Sequence, residues 1–198
     1  DVCIKFPSNP KLTTGEEGDG AGGDLTTKTE SYGSGPTFCV ANPHEEYWQQ
    51  KIADVIERLV DEYGVNGVYI DQIAAAAMIL CYDDKMKHDL GNGDWWRKGY
   101  KAMVEESRKR VGKDVPLVTE NCADVYMDQV EGFLTLNAFQ GSLASDMSQP
   151  KAYLVPAFPK IYGGYYVGFG AMFYANDFKD SNWAKAKLAV MFNYGAQL

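Results

Sequence analysis

The stretch Gly67-Val68-Tyr69-Ile70-Asp71-Gln72 has the form of a short, buried β-strand that ends at an acid. The stretch Val115-Pro116-Leu117-Val118-Thr119-Glu120-Asn121 has the same form, and its Glu120 lies 49 residues after Asp71. Short apolar runs bounded by glycine or polar residues are typical of buried strands. In parallel α/β folds, the loops that leave the carboxyl ends of such strands converge to build the active site. The two stretches therefore predict a parallel sheet with Asp71 and Glu120 at its functional edge.

A helix is predicted before the first of these strands. Asn42 is expected to cap it, with Pro43 at its first position and Glu45 completing a capping box, and Gly64 is expected to end it. One face is apolar at helical spacing, which predicts that its side chains are buried: Trp48, Ile52, Val55, Ile56, Leu59, Val60 and Tyr63.

Helices and strands continue to alternate along the chain. Asp94 is expected to cap a second helix that Gly112 ends, and Ser181 a C-terminal helix over residues 182–194. Between them we predict strands at 115–119 and 132–135 and a short helix at 123–130. This alternation is typical of the α/β class. About four or five strands are too few for a closed eight-stranded barrel of about 250 residues, so we expect either a smaller open sheet or part of a (β/α)8 TIM-type barrel.

The whole chain, 1–198, is predicted to form a single barrel-type domain with a long Gly-rich surface loop at 7–37. A lid over a substrate site and a mobile insertion are both compatible with a loop of this length. Gly18, Gly20 and Gly23 match the GxGxxG pattern, but no strand precedes them and no helix follows. The dinucleotide-binding interpretation is therefore excluded.

Composition narrows the class of protein further. With 198 residues, 45% hydrophobic and 23% charged, the chain is expected to fold as a globular domain. Its net charge of −8 argues against nucleic acid, and its longest apolar runs are too short to span a membrane. The first residue is aspartate, not methionine, so the chain is interpreted as a piece of a larger polypeptide. Its four scattered cysteines form no zinc or redox motif, and free thiols are expected because a core of this size does not need disulfides.

Paired carboxylates at neighbouring strand ends suit glycoside hydrolysis. One acid attacks or stabilises the sugar centre while the other donates a proton to the departing oxygen. Asp71, short and on a rigid strand end, suits the nucleophile, and the longer Glu120 suits the acid/base. The alternative is that both acids cap the following helices or form ion pairs. A GxSxG elbow and a paired-histidine metal motif are absent from the sequence.

Flat rings and amide groups near these acids predict sugar contacts, because sugars offer both apolar faces and hydroxyl groups. The long segment that follows Asp71 is rich in aromatic and hydrogen-bonding side chains. Trp96 is expected in the core, since it lies at helical spacing from Tyr100. The candidate substrate-binding residues are Gln72, Tyr82, His88, Trp95, Asn121 and Asn137.

The stretches around Asp71, from Cys81 to Trp96, and around Glu120 resemble an uncharacterised family of bacterial glycoside-hydrolase-like TIM barrels. That family is similar in layout to the endo-α-N-acetylgalactosaminidases. The resemblance implies a retaining enzyme with Asp71 as nucleophile and Glu120 as acid/base, acting on a carbohydrate without metal or organic cofactor. It also favours a secreted or periplasmic protein.

Two alternatives to the retaining enzyme remain. One is a carbohydrate-binding or structural barrel fragment without activity. The other is an inverting hydrolase, in which the two carboxyl groups stand about 6.5 to 9.5 Å apart, against about 5 to 5.5 Å for retention.

Overall fold

The computed structural model describes residues 3–7, 25–89, 91, 93–135, 157–170, 179 and 181–197. Within the chain, two compact units are distinguished. The first comprises Asp1–Gly64 with Ala77–Lys113, and the second comprises Val65–Ala76 with Asp114–Leu198.

The first unit begins with two small antiparallel pairs of strands. β1 (Lys5–Pro7) pairs with β2 (Leu25–Thr27), and β3 (Thr29–Ser31) pairs with β4 (Thr37–Cys39). The prediction of a loop over 7–37 is therefore wrong for residues 25–31, and residues 8–24 lie outside the described part. β2, β3 and β4 are short and contain threonine, so they have strand propensity without a regular apolar alternation.

A disulfide ties this N-terminal region together. Cys3 and Cys39 are bonded with their Cα atoms 5.7 Å apart, whereas Cys81 and Cys122 are free thiols. The expectation of free thiols is therefore wrong for Cys3 and Cys39. Size alone does not decide the matter, because the disulfide joins two segments that contribute few apolar side chains.

Two helices, α1 (Glu46–Asp61) and α2 (Trp95–Val111), pack against each other in the first unit. α2 follows Asp94 and ends at Gly112, as predicted. α1 begins later than predicted because the Asn42 side chain accepts a hydrogen bond from the His44 amide at 2.9 Å, which makes a turn before the helix. Glu45 then takes the N-cap position.

The buried face of α1 is narrower than its apolar pattern predicts. Ala53 and Ile56 are the buried residues of α1, whereas Val55 is 49% and Tyr63 65% exposed. The predicted burial of Val55 and Tyr63 is therefore wrong. Trp96 is buried, as predicted.

The second unit contains a parallel four-stranded sheet. Its strands are β5 (Val68–Ile70), β6 (Leu117–Glu120), β7 (Gly132–Leu134) and β8 (Val167–Phe169), and they lie in sequence order. α3 (Ala157–Tyr162) and α4 (Ser181–Asn193) belong to the same unit. The predicted helix at 123–130 is instead a 3₁₀ turn at Asp124–Tyr126 followed by a hydrogen-bonded turn.

The two faces of this sheet differ in exposure. Leu117, Thr119 and Phe133 lie on one face and are each 0% exposed. Residues on the other face are more open, and Tyr69 is 41% and Val167 44% exposed. The core of the unit therefore lies on the first face, and the second face is the accessible one.

The fold is mixed α/β with a parallel sheet of four strands. Parallel strands in sequence order are the arrangement of a (β/α) barrel, whereas a doubly wound sheet reverses its order at a switch point. The described residues supply four strands of such an arrangement, and a closed barrel is not shown. Within the described part of the chain, no helix has the length and apolar character needed to cross a membrane.

Candidate active site

Asp71 and Glu120 come from neighbouring strands of the sheet. β5 and β6 pair with Val68 opposite Leu117 and Ile70 opposite Thr119, an offset of 49 residues. The same offset separates Asp71 from Glu120, so the two acids form the next pair at the carboxyl edge. Because side chains alternate along a strand, both point to the accessible face of the sheet. Their carboxyl groups are hydrogen-bonded to each other.

The backbone turns sharply directly after each acid. Among the described residues, Gln72 and Asn121 are the non-glycine residues with positive φ, at 65° and 62°. A left-handed conformation costs an ordinary residue roughly 1 to 2 kcal/mol. Such strain is found preferentially at functional sites, where the surrounding structure maintains it. The turn at Gln72 also directs its backbone N–H to the Glu120 carboxylate.

The environment of Glu120 favours its protonated form. Partial burial raises the pKa of Glu120, and the negative charge of Asp71 and its hydrogen bond raise it further. The hydrogen bond from the Gln72 amide opposes this shift. A carboxyl group whose pKa is raised retains its proton to higher pH and can donate it.

Tyr69 contacts the same pair and was not singled out by the sequence. Its hydroxyl donates a hydrogen bond to Oδ1 of Asp71 at 2.9 Å. Partial burial, this hydrogen bond and the negative charges of Asp71 and Glu120 all raise the pKa of Tyr69, so the phenol remains a donor at neutral pH. The alternation of strand side chains was the available signal, since Tyr69 lies two residues before Asp71 on one face.

An aromatic ring lies beside Tyr69: the Phe169 ring is edge-on to it, with ring centroids 6.5 Å apart. Two residues after Glu120 in the sequence, burial raises the pKa of the Cys122 thiol to about 11. In the described part of the chain, no group of three metal-ligating side chains lies close enough together to hold an ion. The described residues bring two carboxyl groups and a phenol together at this edge of the sheet.

The candidate substrate-binding residues lie in different parts of the chain. Gln72 and Asn121 flank the acids, and Asn137 lies outside the described residues. Tyr82, His88 and Trp95 belong to the first unit, where the His88 ring stacks on Trp95 with centroids 4.2 Å apart. Trp95 is only 2% exposed. Contact of these residues with substrate stays a prediction.

A cavity of about 390 Å³ also lies in the second unit, around the start of β8 and the end of α4. Neither Asp71 nor Glu120 lines it. Its walls are formed by Pro159, Lys160, Gly163, Gly164, Tyr166, Gly168, Asn193, Tyr194 and Gly195.

Comparison with known proteins gives one family and two relatives. Residues 19–174 match the model of a family described as a domain of unknown function, DUF6259. The chain is 47% identical over 175 residues to "Putative glycoside hydrolase 22789" of Monosiga brevicollis, which covers 88% of this chain and 14% of that protein. It is 31% identical over 153 residues to "Putative glycoside hydrolase" of Bacteroides thetaiotaomicron, which covers 77% of this chain and 22% of that protein.

These matches cover only part of each relative. The chain spans less than a quarter of the length of either relative. Both relatives are named as putative glycoside hydrolases, and neither name specifies a sugar or a linkage. The likeness to endo-α-N-acetylgalactosaminidases therefore stays a prediction.

Proposed function

The chain belongs to the DUF6259 family, and from this membership and the paired acids we propose that it carries the catalytic carboxyl groups of a retaining glycoside hydrolase. Asp71 is the nucleophile and Glu120 the acid/base. The observation that carries the proposal is the hydrogen-bonded contact of these carboxyl groups at the ends of two parallel strands. The names of the relatives support the same class of reaction.

In the first step, a carboxylate oxygen of Asp71 attacks the anomeric carbon of the bound sugar. The bond to the leaving oxygen breaks while Glu120 gives that oxygen its proton, and the sugar is left as an ester on Asp71. In the second step, Glu120 takes a proton from water, whose oxygen attacks the anomeric carbon and releases Asp71. The sugar leaves with its original anomeric configuration.

The contact between the two acids supports retention over inversion. Asp71 acts on Glu120 both through its charge and through a hydrogen bond, so the two carboxyl groups are neighbours. Retaining enzymes place the two groups about 5 to 5.5 Å apart, whereas inverting enzymes need about 6.5 to 9.5 Å to admit a water molecule. Neighbouring carboxyl groups are therefore the arrangement expected of a retaining enzyme.

The two roles of Glu120 follow from its coupling to Asp71. Before attack, the charge of Asp71 helps to hold the proton on Glu120. Esterification removes that charge, and with it one cause of the raised pKa of Glu120. Glu120 then releases its proton more readily and acts as the base in the second step.

The test is hydrolysis of a panel of aryl glycosides by the intact protein that contains this chain. Asp71→Ala and Glu120→Gln are each expected to lower kcat at least about 100-fold, the lower end of the usual contribution of such groups. Azide is expected to restore turnover of Asp71→Ala by forming a glycosyl azide. Glu105→Gln, an exposed acid on α2, is the control and is expected to keep full activity. Wild-type activity in both site variants would refute the assignment.

A further inference from the structure

We propose that Tyr69 is a positioning residue for Asp71: its hydroxyl fixes the rotation of the Asp71 carboxyl group that attacks the sugar. This inference rests on the proposed function of Asp71 as the nucleophile.

The geometry of β5 places Tyr69 for this task. Tyr69 and Asp71 are two residues apart on one strand, so their side chains stand side by side on the accessible face. The Tyr69 hydroxyl donates to Oδ1 of Asp71 at 2.9 Å, a normal length for such a bond. On its other side the ring meets Phe169 of β8 edge-on at 6.5 Å. The phenol is therefore held by a strand and a neighbouring ring and not by a loop.

The chemistry follows from what a phenol can do. Its O–H group can donate to a carboxylate oxygen, and a hydrogen bond to the charged form of an acid favours that form. In the described residues, the titratable groups that face Asp71 are Tyr69 on its own strand and Glu120 on β6. The neighbouring strands contribute Leu134 and Phe169 at this edge, and both are apolar. Tyr69 is thus the neutral donor that orients the Asp71 carboxyl group.

The test is Tyr69→Phe, which removes the hydroxyl and keeps the ring. A hydrogen bond to a charged group corresponds to roughly tenfold or more in an equilibrium constant, and the partial exposure of Tyr69 places the effect near the lower end. We expect kcat/KM to fall about 10-fold at neutral pH through kcat, with KM unchanged, because a misoriented nucleophile slows attack on a sugar that still binds. Tyr162→Phe is the matched control, because Tyr162 donates to the Asp124 carboxylate at 3.2 Å. It is expected to change neither quantity.

A second measurement separates this inference from the proposed function. The side-chain carboxyl carbons of Asp and Glu are labelled with ¹³C and titrated by NMR in wild type and in Tyr69→Phe. Because Asp71 contributes to the raised pKa of Glu120, we expect the titration of Glu120 to move in Tyr69→Phe and not in Tyr162→Phe. An unchanged titration of Glu120 and an unchanged kcat would overturn the role of Tyr69. A moved titration in a protein that hydrolyses no glycoside would support the coupling of Tyr69 to Asp71 and overturn the proposed function.

Discussion

Replacing Glu120 by glutamine keeps the shape of the side chain and removes its charge, so it tests the electrostatic coupling of the pair without any substrate. The glutamine side chain has no ionisable proton to share with Asp71, and its amide oxygen can still accept a hydrogen bond from the Gln72 backbone. We expect Glu120→Gln to be more stable than wild type at neutral pH and equal to it in acid.

The magnitude follows from Coulomb's law. Two unit charges about 4 Å apart repel each other by about 1 kcal/mol in water and by about 4 kcal/mol at an effective dielectric constant of 20. Asp71 is exposed and Glu120 half-buried, so solvent screens the pair and the lower figure applies. The expected gain in the free energy of unfolding is therefore about 1 kcal/mol at pH 8.

The sign of the pH dependence is set by the raised pKa of Glu120 in the folded protein. Folded wild type binds this proton more tightly than the unfolded chain does. Its stabilising effect is fully present below the unfolded value of about 4.3 and is lost as the pH rises through the folded pKa. Glu120→Gln has no such proton. Its free energy of unfolding should therefore exceed that of wild type by an amount that grows from about pH 4.3 upward.

The assay is urea unfolding followed by far-UV circular dichroism from pH 4 to pH 8. Asp71→Asn and the double variant complete a double-mutant cycle. Each single variant removes the same repulsion, so the double variant should gain no more than one of them. A pH-independent difference between Glu120→Gln and wild type, or full additivity in the cycle, would refute the coupling.

Two further substitutions test the fold around the pair. Gln72→Gly is expected to be roughly 1 to 2 kcal/mol more stable to urea than Gln72→Val, because glycine adopts the left-handed conformation without cost and a β-branched residue does not; a more stable valine variant would contradict the strained turn. Phe133→Ala is expected to cost about 3 to 5 kcal/mol, since the ring is fully buried and meets Phe158 and Tyr166 at 5.7 Å each. Phe192→Ala, at an 84% exposed position, is its control in the same urea titrations and should lie within about 0.5 kcal/mol of wild type.

The positions of β5, β6 and β7 could be predicted from the sequence, because apolar runs such as Val68 to Ile70 are bounded by glycine and acids, whereas β8 was not predicted. The register of β5 against β6 could not be predicted either. A slip of one residue would send Glu120 to the opposite face, and nothing local to either strand fixes that register. The sequence therefore placed both acids at strand ends, and the structure added that they touch.

The predictions that proved wrong concern segments whose local sequence patterns are weak. The strands at residues 25–31 and 37–39 are short and polar, so the sequence shows no alternation of apolar and polar residues that would predict their pairing. Asn42 is compatible with a helix cap and with a turn before a helix. Its side chain accepts a hydrogen bond from the His44 amide, which forms the turn. The disulfide between Cys3 and Cys39 joins residues 36 apart in sequence, a contact that spacing alone does not reveal.

The role of Asp71 as nucleophile is tested most directly by trapping the sugar on it. The intact protein is treated with the activated 2-deoxy-2-fluoro glycoside of the sugar chosen by the aryl glycoside screen, digested, and analysed by tandem mass spectrometry. We predict a single fluoroglycosyl group on the peptide that contains Asp71, and none after Asp71→Ala. A label on the Glu120 peptide, or hydrolysis that yields the inverted anomer without any label, would contradict the assignment.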